Sequence, residues 1–140
     1  MILCSYNITG NVSLIQIIND KTGRLFSRMR EDDIKLINLN ISSSILNIYT
    51  EEKQADRLLK ILEEENMAWK ITEKLCFIKI RFDKPDKILM DIVDTVNILT
   101  ENKINILELG LTLNRVYLLI HEKDRADFTK LFEEYEYRIK

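Results

Sequence analysis

The chain has 140 residues, 46% of them apolar and 31% charged, with three Gly and one Pro. That suits one ordinary domain or two very small ones sharing a core, and excludes disordered, collagen-like and linker-rich classes. There are 9 basic and 10 acidic residues over 1–72 and 12 and 13 over 73–140, so each half carries −1 and neither is the basic surface that nucleic acid needs.

In chain order, the apolar run 12–18 predicts a strand. It is followed by Asn19-Asp20-Lys21-Thr22-Gly23 and by a helix that turns Leu25, Phe26 and Met29 inward. Two strands, 36–41 and 45–50, are joined through Ser42-Ser43-Ser44. Thr50 then reads as a helix cap, with Glu51 and Glu52 in the first turn, where the helix dipole favours them. Ala55, Leu58, Leu59 and Leu62 give that helix its apolar stripe, and Trp69-Lys70-Ile71 closes the unit as a strand. The only candidate boundary is Glu73-Lys74, which places one unit at 1–72 and another at 73–140.

The second half repeats this order. Ile78, Ile80 and Phe82 alternate with Lys79 and Arg81 in a strand, and Pro85 suits a first helical turn. Ile88, Ile92, Thr95, Val96 and Leu99 then form a helical stripe. Strand 104–109 ends at Gly110, Asn114 turns the chain into strand 116–120, and Phe128, Leu131, Phe132 and Tyr135 mark a second helix. Residues 135–139 are read as the closing strand. Three short matches tie the halves together. Asn19–Gly23 matches Phe82–Asp86 at an offset of 63, Ile37-Asn38-Leu39 matches Ile104-Asn105-Ile106 at 67, and residues 60–64 match 130–134 at 70. The expected fold is therefore α+β: two ferredoxin-like βαββαβ repeats packed as one body. Both alternating sets of strand 115–120 are apolar, so its free face calls for cover by another copy or another chain.

With its strand, Asp-Lys-x-Gly turn (Asp20 to Gly23), helix, Ile-Asn-apolar junction at Ile37-Asn38-Leu39 and helix start at 52–56, taken twice, the chain resembles the ACT domain family. It is most similar to the paired ACT modules at the regulatory end of aspartokinases, without a kinase portion, and to free-standing tandem ACT proteins. The resemblance implies a regulatory module in which the turn Asn19, Asp20, Lys21, Thr22, Gly23, Arg24 and Leu25, together with Asn38, holds the amino and carboxyl groups of an amino-acid effector, often across a subunit interface. The chemistry agrees, because a strand-to-helix loop exposes backbone N–H groups that attract a carboxylate. Gly23 permits close approach, and Asn38 offers both a donor and an acceptor. A purely structural role stays open: Asp20 as a cap, Gly23 easing the turn, Asn38 bonding locally. In the second repeat Asp86 stands opposite Gly23, so Asp83, Asp86 and Asn105 form a degenerate site that repels a carboxylate. Ser44 falls where aspartokinase-like strands usually carry Gln, which argues against their lysine or threonine specificity.

Catalysis finds no support. There is one His, and no GxSxG, phosphate-loop or HExxH motif. His121 with two distant thiols builds no metal site, Cys4 and Cys76 lack CxxC spacing and read as buried apolar residues, and no cofactor is expected. The first six residues lack the basic start and long apolar core of a signal peptide, and no apolar run nears the ~18 residues of a membrane span, so a cytoplasmic protein is expected. Two functions compete: an amino-acid sensor, expected as a homodimer, and a ligand-free assembly module that dimerises or docks on a separate metabolic enzyme.

Overall fold

The computed structural model describes residues 3–18, 22–82, 88–112 and 115–139. Asn19, Asp20, Lys21, Asp83, Pro85, Asp86 and Asn114 lie outside the described residues, as does the side chain of Cys4. The elements are β1 (Leu3–Ile18), α1 (Thr22–Glu31), β2 (Asn38–Ser42), β3 (Ile45–Glu51), α2 (Glu52–Glu64), β4 (Trp69–Phe82), α3 (Ile88–Glu101), β5 (Ile106–Thr112), β6 (Arg115–His121) and α4 (Arg125–Ile139), with a 3-10 turn at Glu122–Asp124 before α4. The chain divides into two compact units, Asn11–Lys74 and a discontinuous one made of Met1–Gly10 with Leu75–Lys140. The sequence places the break after residue 72 and assigns the N-terminus to the first repeat, whereas the structure divides the chain inside β1 and inside β4. Both strands carry a left-handed residue there, Asn11 at φ 52° and Lys74 at φ 57°.

Within Asn11–Lys74 the strand order is β2-β3-β1-β4, the ferredoxin-like arrangement. β1 runs antiparallel to β3 from Val12↔Glu51 to Ile18↔Ile45, and β2 pairs β3 from Asn38↔Tyr49 to Ser42↔Ile45. Alternation sends Ile15, Ile17, Leu46 and Ile48 to one face. There they pack with Leu25 and Met29 of α1, with Ala55, Leu58, Ile61 and Leu62 of α2, and with Met67. The expected Thr50 cap is not formed. Thr50 is the sixth residue of β3, its hydroxyl is buried without a partner, and Glu51 occupies the cap position with no side-chain bond. Its side chain therefore follows strand alternation into the protein and does not turn back to the helix N–H groups.

In the other unit β4 pairs β6 from Leu75↔His121 to Arg81↔Arg115, and β5 pairs β6 with a bulge between Ile106 and Glu108. Cys76, Ile78, Ile80, Val116, Leu118 and Ile120 meet Leu99 and Ile104 beside Phe128 and Phe132 of α4. The expected closing strand 135–139 is absent, because α4 continues to Ile139. The fourth strand comes from the chain's own start. β1 neighbours β4 in the sheet, and Tyr6 and Ile8 pack on this core. The Tyr6 ring stands edge-on to Phe128 at 5.9 Å and to Phe132 at 6.2 Å.

Register also corrects the alignment of the repeats. Ser13 and Cys76 face Thr50 and Ile120 respectively, so the first strands match at 63. From the end of the first helix onward the offset is 70. Asp33 and Lys103 are both left-handed, β3 and β6 share their burial pattern over the first six positions, and Asn38↔Tyr49 corresponds to Glu108↔Leu119. The apparent offset of 67 is a coincidence of short motifs, and the counterpart of Asn38 is Glu108, not Asn105. The second repeat gains its extra length between its first strand and the end of its first helix, four residues of it in α3, which has 14 residues against 10 in α1.

Candidate ligand site at the first strand-to-helix turn

β1 ends at Ile18 and α1 begins at Thr22, so only three residues join the strand to the N-terminus of α1. Thr22 brings a buried hydroxyl that has no hydrogen-bond partner. Gly23 is exposed, and a Cβ built on it meets nothing within 4 Å, so packing does not require glycine and the space beside it is open. Leu25 is fully buried in the core and anchors the helix. Arg24 turns away to ion-pair with Glu65, the C-cap of α2, and Arg28 bonds Glu65 at 2.8 Å and Glu64 at 2.6 Å. The Arg28 hydrogen bond holds the Glu65 carboxyl below its ordinary range despite its burial. This cluster ties α1 to α2.

Asn38 lies at the far end of β2 from the turn. Ile18 faces Ile45, which faces Ser42, and Asn38 is four residues further along the strand. At ~3.4 Å per residue that is about 13 Å. The structure therefore does not bring Asn38 to the turn within one unit. A separate cavity of about 270 Å³, lined by Lys35, Leu36, Ile37, Glu51, Lys53 and Gln54, lies just before Asn38 in the chain. In the second repeat Asn105 aligns with Lys35 and has no relation to a ligand turn.

At the end of β1 lies a groove of about 290 Å³ lined by Gln16, Ile17, Ile18, Ile45, Ala68, Trp69 and Lys70. Gln16 is fixed from behind: its Nε2 donates to Asn47 Oδ1 at 3.1 Å, Asn47 Nδ2 donates to Asn40 Oδ1 at 2.8 Å, and Asn40 Nδ2 donates to the Tyr49 hydroxyl at 3.1 Å. Sequence reasoning missed these lining residues, which come from three strands that only the register brings together. The one available signal was Ile18, whose place in the strand alternation puts it on the face away from the helices.

Among the described residues no group of three or more His, Cys, Asp or Glu is placed to hold a metal, and no helix is long and apolar enough to cross a membrane. No protein-family profile and no curated protein matches the chain. Solved structures do. The regulatory subunit of aspartate kinase from Thermus flavus superposes with a TM-score of 0.77 at 10% identity, covering 96% of this chain and 99% of that one. A structure of aspartokinase alpha and beta subunits gives 0.77 at 15% identity, covering 94% and 97%. E. coli aspartokinase III in complex with lysine and aspartate gives 0.69 at 14% identity, covering 95% of this chain and 33% of that one. The fold is that of aspartokinase regulatory regions. It is thus the paired ACT-like fold that the resemblance implies, and the match to the Thermus flavus chain runs over nearly its full length.

Proposed function

We propose that the chain is a non-catalytic regulatory module that binds an amino acid at the strand-to-helix turn of Asn11–Lys74 and acts as a homodimer on a metabolic enzyme. The observation that carries this reading is the open N-terminus of α1. Gly23 leaves space free there, and the buried Thr22 hydroxyl lacks a partner. Backbone N–H groups at such an end attract a carboxylate. The shared fold supports the reading too, since one protein of that fold was crystallised with lysine and aspartate. Asn38, about 13 Å away along the sheet, reaches a ligand only from a second protomer, which favours a dimeric site.

Thermal melts with each of the twenty amino acids test it. At 100 times its dissociation constant a ligand adds about 2.7 kcal/mol of apparent stability. Gly23→Asp, which puts a carboxylate at the helix start, should abolish the shift and leave the unliganded melt nearly unchanged, because its side chain enters open space. A shift that survives Gly23→Asp places the site elsewhere. The assembly reading has its own observation: the edge strands β2 and β5 expose Leu39 and Ile41, and Leu109 and Leu111. It predicts oligomers with no response to any amino acid.

A further inference from the structure

We infer that one side of α3 and the edge strand β5 form a dimer contact, each laid against the same surface of a second copy of the chain about a twofold axis. This rests on the homodimer in the reading above and not on its ligand. The two repeats supply an internal comparison, because residues of α3 stand 70 positions after their counterparts in α1. Leu25 and Met29 of α1 are buried, and so are Thr95 and Leu99 of α3. Arg24 and Arg28 mark the side of α1 that faces α2, through their ion pairs with Glu64 and Glu65. Asp94 and Ile98 take those two places in α3. At helical spacing, Leu89, Val93, Val96 and Thr100 fall on the opposite side of α3. α1 carries Gly23, Phe26 and Arg30 in the places of Val93, Val96 and Thr100. Leu89 is 71% exposed, Met90 68% and Val93 50%, whereas no large apolar side chain of α1 is exposed in this way.

β5 continues the surface. It borders α3 and is the outermost strand of the sheet. Leu109 and Leu111 stand opposite Leu118 and Val116, whose side chains belong to the core beneath the helices. Strand alternation therefore puts both leucines on the face that α3 covers, and they are 38% and 52% exposed. The strand's one charge, Glu108, lies on the other face and accepts a hydrogen bond from the Tyr117 hydroxyl at 3.1 Å. The surface itself is uncharged, so two copies laid together there bring no like charges into contact. Its five exposed side chains present on the order of 500 Å² per copy, and two copies bury about 1,000 Å², the threshold for a specific interface. Antiparallel pairing of β5 with the same strand of the second copy satisfies the free backbone groups of both edges and closes them to further chains.

Sedimentation of the full-length chain over a range of concentrations tests this, with amide exchange read above and below the dissociation midpoint. The parent should dimerise, and amides in 106–112 should gain protection on association. Val93→Asp and Leu111→Lys, both at exposed positions, should weaken the dimer about tenfold or more. Ile41→Lys, in the place of Leu111 in the first repeat, should leave it intact. A dimer that survives Val93→Asp and Leu111→Lys but yields to Ile41→Lys overturns the inference and keeps the homodimer. A chain that stays monomeric at every concentration overturns both, and leaves the surface to a different protein. If either variant fails to fold, exchange in the parent decides: a dimer with no added protection in 106–112 is built on another surface.

Discussion

The thiol of Cys76 donates to Glu122 Oε2 at 2.9 Å, and Glu122 in turn pairs with Arg125 at 3.3 Å. Burial, followed by the neighbouring carboxylate, pushes the Cys76 pKa from an ordinary 9.0 up to about 12. The folded state therefore keeps its proton where the unfolded chain has released it, and stability is lost as pH rises from about 9 to 12. Cys76→Ser keeps a donor for Glu122 but does not titrate here. In a Cys4→Ser background its melting temperature should fall less steeply over that window than the parent's, and the parent thiol should react with a thiol reagent only after unfolding. Equal slopes would show that Cys76 is not the group responsible. Residues of this kind were partly legible: an isolated cysteine on an apolar strand reads as buried, but nothing in the sequence joins it to Glu122, 46 positions away. Gln16 and Lys70 follow the same rule: they line one groove because β1 and β4 are neighbours in the sheet, which no local pattern shows.

At the scale of elements, periodicity located all four helices, yet their ends follow a device the sequence hides. α1, α2 and α3 each finish with a left-handed residue, Asp33, Asn66 and Lys103, none of them glycine. In each, the next residue's N–H reaches back five positions: Ile34 to Met29, Met67 to Leu62 and Ile104 to Leu99, all at 2.9 Å. This is the Schellman geometry, and in each motif both residues are apolar. Lysine has no side-chain group suited to the left-handed region, so Lys103 carries its backbone cost of about 1 kcal/mol unrelieved. Lys103→Gly should therefore raise the melting temperature by about 2–4 °C, measured calorimetrically, with Asp33→Gly gaining less because Asp tolerates that region better. An unchanged or lower value for Lys103→Gly would mean that the unfolded-state entropy of glycine outweighs the strain. Strand alternation gave the wrong element at 135–139 for a related reason. Tyr135-Glu136-Tyr137-Arg138-Ile139 alternates like a strand, but α4 runs through these residues to Ile139.

For the molecule as a whole, duplication was readable from short motifs kept in order, and the way the second repeat is completed was not. A fourth strand borrowed from a chain's start leaves no trace in local periodicity, because residues 3–10 look like any strand and only pairing assigns them. The structure gives them to the later unit. Tyr6 and Ile8 sit on the core of Leu75–Lys140, and Gly10 comes so close to Glu122 and Arg125 that a Cβ there would displace the Arg125 guanidinium. The first repeat closes by a different route, with α2 followed after a short connection by the start of β4. Moving residues 1–10 from the front of the chain to its end should therefore rebuild the ordinary βαββαβ order without changing any contact. Deleting residues 1–10 should strip protection from amide exchange in 75–82 and 115–121, since β4 loses its neighbour and Phe128 and Phe132 lose an aromatic lid. Tyr6→Ala alone should cost about 3 kcal/mol. Fusing residues 1–10 behind residue 140 through a Gly/Ser linker of about six residues should restore that protection and most of the melting temperature. If the deletion leaves exchange in 75–82 unaltered, the N-terminal strand is not the closing strand of this unit. If the deletion exposes those amides and the fused segment fails to protect them again, the strand's position in the chain matters as well as its contacts, and a simple permutation of the repeat is the wrong description.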